Sequence, residues 1–179
     1  MAVKILYYVH STTVDNEIKK ASGWNETLLN EKGLAQAQDL AKQVKDKKFD
    51  AIYCSDLIRA VESAKIVFKE TGKEFIKDER LRECNYGDLN GKDSKLIEYQ
   101  NHIENPFPNG ESLITVEKRV KILLDEIKEK YQGKTVAIMA HRATQLAIEV
   151  LTLGKTWEEA IATDWRNTKD WKPGWEYEI

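Results

Sequence analysis

Two of the three histidines in this 179-residue chain each follow directly on a strongly apolar run of residues. His10 follows the run 3–9, and His141 follows the run 135–140. A short apolar run bounded by polar residues is typical of a strand buried on both faces, as in a parallel α/β sheet. In open α/β sheets the ligand crevice lies beyond the carboxyl ends of the strands. Both imidazoles are therefore predicted to lie where such a protein carries out its chemistry, and a neutral imidazole is a good nucleophile.

Arg59 is the third residue whose position favours chemistry. It lies about one turn into a helix that is predicted to follow a second apolar strand, 50–54. A helix N-terminus attracts anions, and a guanidinium adds a planar fork of donors suited to phosphate oxygens. An isolated arginine on a helix is more often a surface residue, but beside two strand-end histidines it favours an anion site. Cys54 and Arg59 miss the C-x5-R spacing of cysteine phosphatases by one residue, so Cys54 is interpreted as a core strand residue.

The elements that would position these groups alternate between strands and helices. Strands are predicted at 3–9, 50–54, 74–77 and 135–140, with an edge strand at 175–179. Helices are predicted from Asn30 to about Lys45, from a cap at Ser55 or Asp56, along the apolar stripe 113–131, from about 144 to 153, and after a capping box at 156–159. This order predicts an α/β fold with a mostly parallel central sheet. The length fits a single domain over residues 1–179.

Composition argues against several classes of function. The formal net charge is −2 with both signs well mixed, which provides no electrostatic footprint for nucleic acid or an anionic membrane. Cys54 and Cys84 lie far apart, which favours a reducing compartment over a disulfide framework. The run 3–9 is too short to span a membrane and lacks a signal-peptide cleavage pattern. We therefore expect a soluble, cytoplasmic protein, and the spacing of its histidines and cysteines predicts no metal site.

Six short motifs, in order along nearly the whole chain, resemble those of the histidine phosphatase superfamily, the phosphoglycerate mutase-like group. The motifs are V-H-S-T-T at 9–13 in place of the family's R-H-G-x-T, S-G-W at 22–24 followed by L-N-E-K-G at 29–33, S-D-L-I-R-A-V-E-S-A at 55–64, L-R-E-C-N-Y-G-D-L-N-G at 81–91, P-N-G-E-S at 108–112, and the strand that ends at His141. Each motif alone is weak, but six in order are specific. The resemblance implies a three-layer α/β/α sandwich around a mostly parallel central sheet, as in phosphoglycerate mutase-like proteins.

The resemblance also implies roles for four residues. His10 would be the nucleophile that takes the phosphoryl group as phosphohistidine, and Arg59 and His141 would bind the phosphoryl oxygens. Glu83 would be the general acid that protonates the leaving oxygen and then activates water. The implied activity is that of a phosphatase that hydrolyses a small-molecule phosphate ester without a metal or another cofactor. The substrate-binding candidates are Ser11, Thr13, Asn16, Ser22, Gly23 and Arg142.

Three positions depart from the family pattern. Val9 stands where the family has arginine, Ser11 where it has glycine, and Arg142 where it often has glycine. Loss of a preorganised phosphate donor typically lowers the rate by about a hundred- to a thousandfold. Another cation could compensate: Arg142 is the first candidate, and the others are Lys19, Lys20 and Arg166. Alternatively the protein is catalytically weakened and only binds phosphorylated ligands. Retained activity is favoured because all four implied catalytic residues are present.

Two further alternatives stay open. The chain has no room between Gly91 and Pro106 for the substrate-covering insertion of cofactor-dependent mutases, and a short, open site lets water complete the reaction. A phosphatase is therefore favoured, with phosphoglycerate mutase-type transfer as the alternative. In the segment 165–175 aromatic and basic residues alternate. This segment could contact the organic part of the ester, but a C-terminal wrap over a sheet edge is favoured.

Overall fold

The computed structural model describes residues 1–168 and 174–179, so Lys169, Trp171 and Lys172 of the aromatic and basic segment lie outside the described residues. The strands are β1 (Lys4–Val9), β2 (Lys20–Ala21), β3 (Ala51–Cys54), β4 (Ile76–Lys77), β5 (Lys92–Asp93), β6 (Thr135–Ala140) and β7 (Trp175–Glu178). The helices are α1 (Val14–Glu17), α2 (Glu31–Val44), α3 (Ile58–Val67), α4 (Leu113–Lys130), α5 (Arg142–Leu153), α6 (Trp157–Ala162) and α7 (Trp165–Thr168). Between β4 and α4 the chain forms short 3-10 turns and loops.

The central sheet is mostly parallel, as the order of elements predicts. Its strand order is β4-β3-β6-β1-β7, and only β7, at one edge, runs antiparallel to its neighbour among the described strands. β1 and β6 are adjacent and in register, so Val9 pairs with Ala140. The residues that follow, His10 and His141, leave the sheet side by side. The backbone N–H of His10 donates to the Ala140 carbonyl at 3.0 Å, which extends the ladder by one bond.

Side-chain alternation along β1 divides the core between the two faces of the sheet. Ile5 and Tyr7 pack with the apolar residues of α4, α5 and α6 on one face. Leu6 and Tyr8 pack with those of α2 and α3 on the other face. All four side chains are buried. The fold is therefore the three-layer α/β/α sandwich that the family resemblance implies.

One helix start differs from the prediction in a way that matters for the site. The helix expected to be capped by Ser55 or Asp56 begins at Ile58, with Leu57 at the N-cap. Ser55 instead lies between two partners: its Oγ accepts from the backbone N–H of Leu57 at 3.3 Å and lies 2.8 Å from the Nε2 atom of His141. Because the Ser55 hydroxyl is bound to the His141 ring, Ser55 lies before the helix and does not cap it.

Both cysteines are buried free thiols, Cys54 within β3 and Cys84 in the loop before α4. Burial raises the pKa of both thiols well above the usual value, so neither side chain is a reactive thiolate at neutral pH. No described helix is long and apolar enough to cross a membrane.

Candidate active site

A cavity of about 330 Å³ lies where the carboxyl ends of β1, β3 and β6 meet. It brings together His10, Arg59 and Glu83, three of the four residues with implied catalytic roles. Its wall also contains the predicted residues Asn16, Ser22, Gly23 and Arg142, and the remaining lining residues are Lys19, Lys20, Ala21, Tyr86, Ser94, Ile97 and Arg166. Glu83 is the single carboxylate among these lining residues, which otherwise include five basic side chains. A cavity with this excess of positive charge attracts anions.

The ring of His10 is held in one tautomer. Its Nδ1 atom lies 2.8 Å from the carbonyl oxygen of Ser11. A carbonyl can only accept, so Nδ1 carries the proton and the lone pair is left on Nε2. Burial and the positive charge of Arg59 lower the pKa of His10 from 6.5 to about 3. The imidazole is therefore neutral near physiological pH, and its Nε2 atom carries no proton.

His141 lies beside His10 but is fully buried and does not line the cavity. The two ring centres are 5.0 Å apart. Its Nε2 atom is bound to Ser55 Oγ, whereas its Nδ1 atom has no hydrogen-bond partner among the described residues. A buried polar atom without a partner is uncommon and costs free energy. Burial and the charge of Arg59 lower the pKa of this ring as well, so it is neutral near physiological pH.

Tyr7 fixes the backbone at the end of β6. Its hydroxyl donates to the carbonyl of His141 at 2.7 Å and accepts from the backbone N–H of the same residue at 3.0 Å. Thr144 Oγ1 also accepts from that N–H, at 3.2 Å. These bonds make His141 the N-cap residue of α5, and the helix begins at Arg142, two residues before the predicted start. The turn from strand to helix thus places Arg142 in the cavity wall.

Arg59 reaches the cavity from the first turn of α3 and is only 2% exposed. One terminal nitrogen donates to the carbonyl of Gly23 at 2.7 Å, and the other donates to the carbonyl of Asn25 at 3.1 Å. A guanidinium has five N–H donors in a rigid fork. Two of them anchor the side chain to the loop 23–25, and the other three donate to none of the described residues.

Replacing Gly23 with alanine is expected to disturb this anchor. Gly23 has a φ of +53°, and a Cβ atom there would lie 1.8 Å from Asn90 Oδ1, which accepts from the backbone N–H of Tyr86. We expect Gly23→Ala to lower the free energy of unfolding by about 2–3 kcal/mol and to weaken phosphate binding, since the carbonyl that holds Arg59 must shift. Thermal unfolding and inhibition by inorganic phosphate measure the two effects.

Gly72→Ala is the matched control for this variant. Gly72 also has a positive φ, +67°, but an added Cβ would meet no atom within 4 Å. Gly72→Ala therefore introduces backbone strain without a steric clash, and it should leave inhibition by phosphate unchanged. Equal effects of the two variants would contradict the role of the 23–25 loop as an anchor.

Glu83 is held by one carboxylate oxygen. Its Oε1 atom accepts from the backbone N–H of Cys84 at 2.9 Å and of Ala143 at 3.0 Å, and from the hydroxyl of Tyr99 at 3.4 Å. Ala143 lies in the first turn of α5, where backbone N–H groups are free to bind an anion. The hydrogen bonds of Glu83 side-chain oxygens to described residues all go to Oε1, so Oε2 has no hydrogen-bond partner among them.

Ser11 and Thr13, two predicted substrate-binding residues, are not among the residues that line the cavity. Thr13 is fully buried at the N-cap of α1, where its Oγ1 accepts from the backbone N–H of Asn16 at 3.1 Å. The backbone N–H of Ser11 donates to Ser63 Oγ at 3.0 Å. The short helix that Thr13 caps carries Asn16 to the cavity wall.

Tyr99 belongs to the site although no sequence pattern indicated it. It lies in a 3-10 turn, Tyr99–His102, and is almost fully buried. Its ring lies under the guanidinium of Arg142, whose Cζ atom is 4.3 Å from the ring centre. The same tyrosine therefore contacts both a cation and, through its hydroxyl, the carboxylate of Glu83. In the described part of the chain no three His, Cys, Asp or Glu residues are grouped so that they could hold a metal ion.

The family model and the sequence relatives all indicate the same protein family. Residues 8–172 match the model of the histidine phosphatase superfamily (branch 1). The chain is 28% identical over 169 residues to phosphoserine phosphatase 1 of Hydrogenobacter thermophilus. The alignment covers 87% of this chain and 80% of that protein. It is 35% identical over 169 residues to a 2,3-bisphosphoglycerate-dependent phosphoglycerate mutase of Parvibaculum lavamentivorans, with 85% of this chain and 80% of that protein covered.

Solved structures show the same fold. YhfR of Bacillus stearothermophilus superimposes with a TM-score of 0.79 at 27% identity, over 88% of this chain and 83% of that one. A mycobacterial glucosyl-3-phosphoglycerate phosphatase in complex with VO3 gives a TM-score of 0.78 at 25% identity, over 89% and 86% of the two chains. With the family model matched over most of its length and the histidine-centred cavity in place, the chain belongs to the histidine phosphatase superfamily.

Proposed function

We propose that this protein is a metal-independent phosphatase that hydrolyses a small phosphomonoester through a phosphohistidine on His10. One observation carries the proposal: the Nδ1 proton of His10 is bound to the Ser11 carbonyl, which leaves a neutral Nε2 lone pair next to Arg59 and Glu83. Nucleophile, cation and proton donor thus share one cavity. The relatives named as phosphatases and mutases support phosphoryl transfer as the chemistry.

In the first step, the Nε2 lone pair of His10 attacks phosphorus and the bond from phosphorus to the ester oxygen breaks. Glu83, protonated on Oε2, gives its proton to the leaving oxygen, and the alcohol departs. In the second step, the Glu83 carboxylate takes a proton from water and the resulting hydroxide attacks phosphorus. The bond from phosphorus to Nε2 breaks, and inorganic phosphate and the starting enzyme are regenerated.

Arg59 and His141 are proposed to hold the phosphoryl oxygens during both steps. Arg59 offers its remaining N–H donors at fixed positions, since two others are bound to the 23–25 loop. If the hydroxyl of Ser55 donates to Nε2 of His141, the proton of this neutral ring lies on Nδ1, the atom without a partner. That N–H can then donate to a phosphoryl oxygen attached to the neighbouring His10. Preorganised donors of this kind stabilise developing charge.

The missing arginine at position 9 is proposed to be compensated by other basic residues. All four candidates suggested by the sequence, Arg142, Lys19, Lys20 and Arg166, line the cavity. Lys19 and Lys20 come from a turn that the backbone holds tightly: Lys19 has a φ of +58°, and its carbonyl accepts from Ser94 N–H at 2.8 Å. The two lysines are exposed, whereas the Arg142 side chain is only 19% exposed. A partly buried guanidinium is the better preorganised phosphate donor.

Turnover of p-nitrophenyl phosphate in the presence of excess EDTA tests the proposal. We expect a rate within about twofold of the rate without chelator, because no proposed step uses a metal. We also expect a phosphoenzyme that is stable in alkali and labile in acid, as phosphohistidine is, detected by mass spectrometry after alkaline quench. Loss of turnover with EDTA, restored by added metal, would contradict the proposal.

The mutase alternative rests on the similarity to phosphoglycerate mutases. It requires that the phosphoenzyme returns its phosphoryl group to a sugar-acid phosphate rather than to water. Turnover only with a phosphoglycerate and its bisphosphate primer would favour this alternative over hydrolysis. Tight binding of inorganic phosphate without any turnover would instead favour a protein that only binds phosphorylated ligands.

A further inference from the structure

The most deeply buried carboxylate near the cavity that the proposed mechanism does not use is that of Asp164. It lies between α6 and α7, and its side chain is 0% exposed. A buried charge is costly unless it is paired and hydrogen-bonded. Among the described residues Asp164 has two such partners: Oδ2 accepts from Nε of Arg142 at 2.5 Å, and Oδ1 accepts from the backbone N–H of Arg166 at 3.1 Å.

Both partners line the cavity, and they reach it from different elements. Arg142 is the first residue of α5, and Arg166 belongs to α7. Arg142 binds Asp164 through Nε, and its terminal N–H groups donate to none of the described residues, so they can bind a ligand in the cavity. Arg166 lies close enough to His10 that its charge contributes, after burial and Arg59, to the low pKa of that ring.

A single carboxylate therefore links two guanidinium-bearing residues that would otherwise repel each other. At short separation two like charges are unfavourable, and an anion bound to both residues relieves the repulsion. Tyr99 supports the Arg142 side of this arrangement, since its ring packs under the guanidinium. Arg166, whose side chain is exposed, donates from its backbone N–H to Asp164, and its Cζ atom lies 4.5 Å from the centre of the Trp165 ring.

We propose that Asp164 is a positioning residue that holds Arg142 and Arg166 at the phosphoryl-binding end of the cavity, where they replace the arginine absent at Val9. This inference rests on the proposed function, because it assigns the two guanidinium groups to the same phosphoryl group that His10 attacks. It explains how an arginine at position 142, a position where the family often has glycine, is kept in one orientation. Asp164 itself touches neither substrate nor the reacting atoms.

The test compares Asp164→Asn with Asp78→Asn. Asp78 is a matched control because it also accepts from the backbone N–H two residues later, at Arg80, and from a guanidinium, in this case that of the same arginine. An asparagine in place of Asp164 keeps the shape but removes the charge and presents an N–H₂ group to one of the two donors. We expect Asp164→Asn to raise the inhibition constant of inorganic phosphate by about tenfold or more and to lower kcat/KM by a similar factor or more. Asp78→Asn should change neither value.

Arg166→Met keeps the test decisive if Asp164→Asn fails to fold, because the Arg166 side chain is exposed and its bond to Asp164 comes from the backbone. This variant should also weaken phosphate inhibition by about tenfold. If Asp164 acts through Arg166, the double variant loses less than the product of the two single losses. Unchanged phosphate inhibition in folded Asp164→Asn or in Arg166→Met would overturn the inference. Phosphate binding measured by calorimetry needs no turnover, so this outcome is distinct from a failure of the phosphohistidine mechanism.

Discussion

Replacing His10 with asparagine is expected to lower kcat/KM for phosphate esters by about 10⁴-fold or more. Asparagine can still donate from its side chain to the carbonyl of Ser11, as Nδ1 does in the native protein. It has no nitrogen lone pair at the position of Nε2. The variant therefore removes the nucleophile and leaves its local hydrogen bond in place. Initial rates and the alkali-stable phosphoenzyme signal measure the loss.

His102→Asn is the control, since His102 is the one histidine with no proposed role. Its ring stacks on Phe107 with 3.7 Å between the ring centres, and it is not among the residues that line the cavity. We expect native kinetics and a native amount of phosphoenzyme in this variant. A phosphoenzyme that persists in His10→Asn would place the nucleophile elsewhere and would contradict the proposed mechanism.

The low pKa of His10 adds a pH test of the same assignment. Burial and Arg59 lower this pKa to about 3, so acidification to pH 5 leaves the ring neutral and able to attack. An unperturbed histidine, with a pKa of about 6.5, would be almost fully protonated at pH 5. Formation of the phosphoenzyme at pH 5 should therefore not show the loss that protonation of an ordinary histidine would cause. The same low pKa makes the folded protein less stable in acid. His10 is protonated more readily in the unfolded chain, so the free energy of unfolding falls as the pH drops below about 6.5.

The parts of the site that the sequence predicts well are those fixed by local patterns. The short apolar runs before His10 and His141 predict strands inside the sheet, because a strand that is buried on both faces cannot lie at an edge. Asn30 was predicted as a helix cap, and it caps α2. The position of Arg59 could be predicted because it lies in the first turn of an amphipathic helix that follows a strand and a short turn. In each case the positioning contacts lie close in sequence, or follow from the order of strands.

Other parts of the site depend on contacts between distant segments, which no local pattern contains. Asp164 meets Arg142 across 22 residues, and Ala143 binds the Glu83 carboxylate across 60 residues. The predicted substrate role of Thr13 remains untested, but the structure uses its hydroxyl to cap α1. A threonine that closely follows a candidate site histidine shows the same sequence pattern whether it contacts substrate or caps a helix. The path of the backbone after Thr13, which here turns into α1, determines whether its hydroxyl caps a helix or faces the cavity.

Replacing Glu83 with glutamine is expected to give the second largest effect, and the size should depend on the leaving group. A general acid contributes about 10²- to 10⁴-fold when the leaving oxygen needs a proton. We expect Glu83→Gln to lower kcat/KM by about that factor for an alkyl phosphate. For p-nitrophenyl phosphate, whose leaving anion is stable without a proton, phosphoenzyme formation should change little. The measurement is a series of aryl and alkyl phosphates, with the phosphoenzyme burst followed separately from steady-state turnover.

The position of the remaining oxygen makes this variant informative. Glutamine can keep its carbonyl oxygen where Oε1 accepts from Cys84 and Ala143, and its N–H₂ group then occupies the position of Oε2. The loop and the start of α5 should therefore stay in place while proton exchange is lost. Dephosphorylation by water should slow for every substrate, so that the phosphoenzyme accumulates. Glu104→Gln, at an exposed glutamate outside the cavity lining, removes the same charge and should leave both steps unchanged. Equal losses for alkyl and aryl esters in phosphoenzyme formation would mean that Glu83 acts by its charge alone and does not donate the proton.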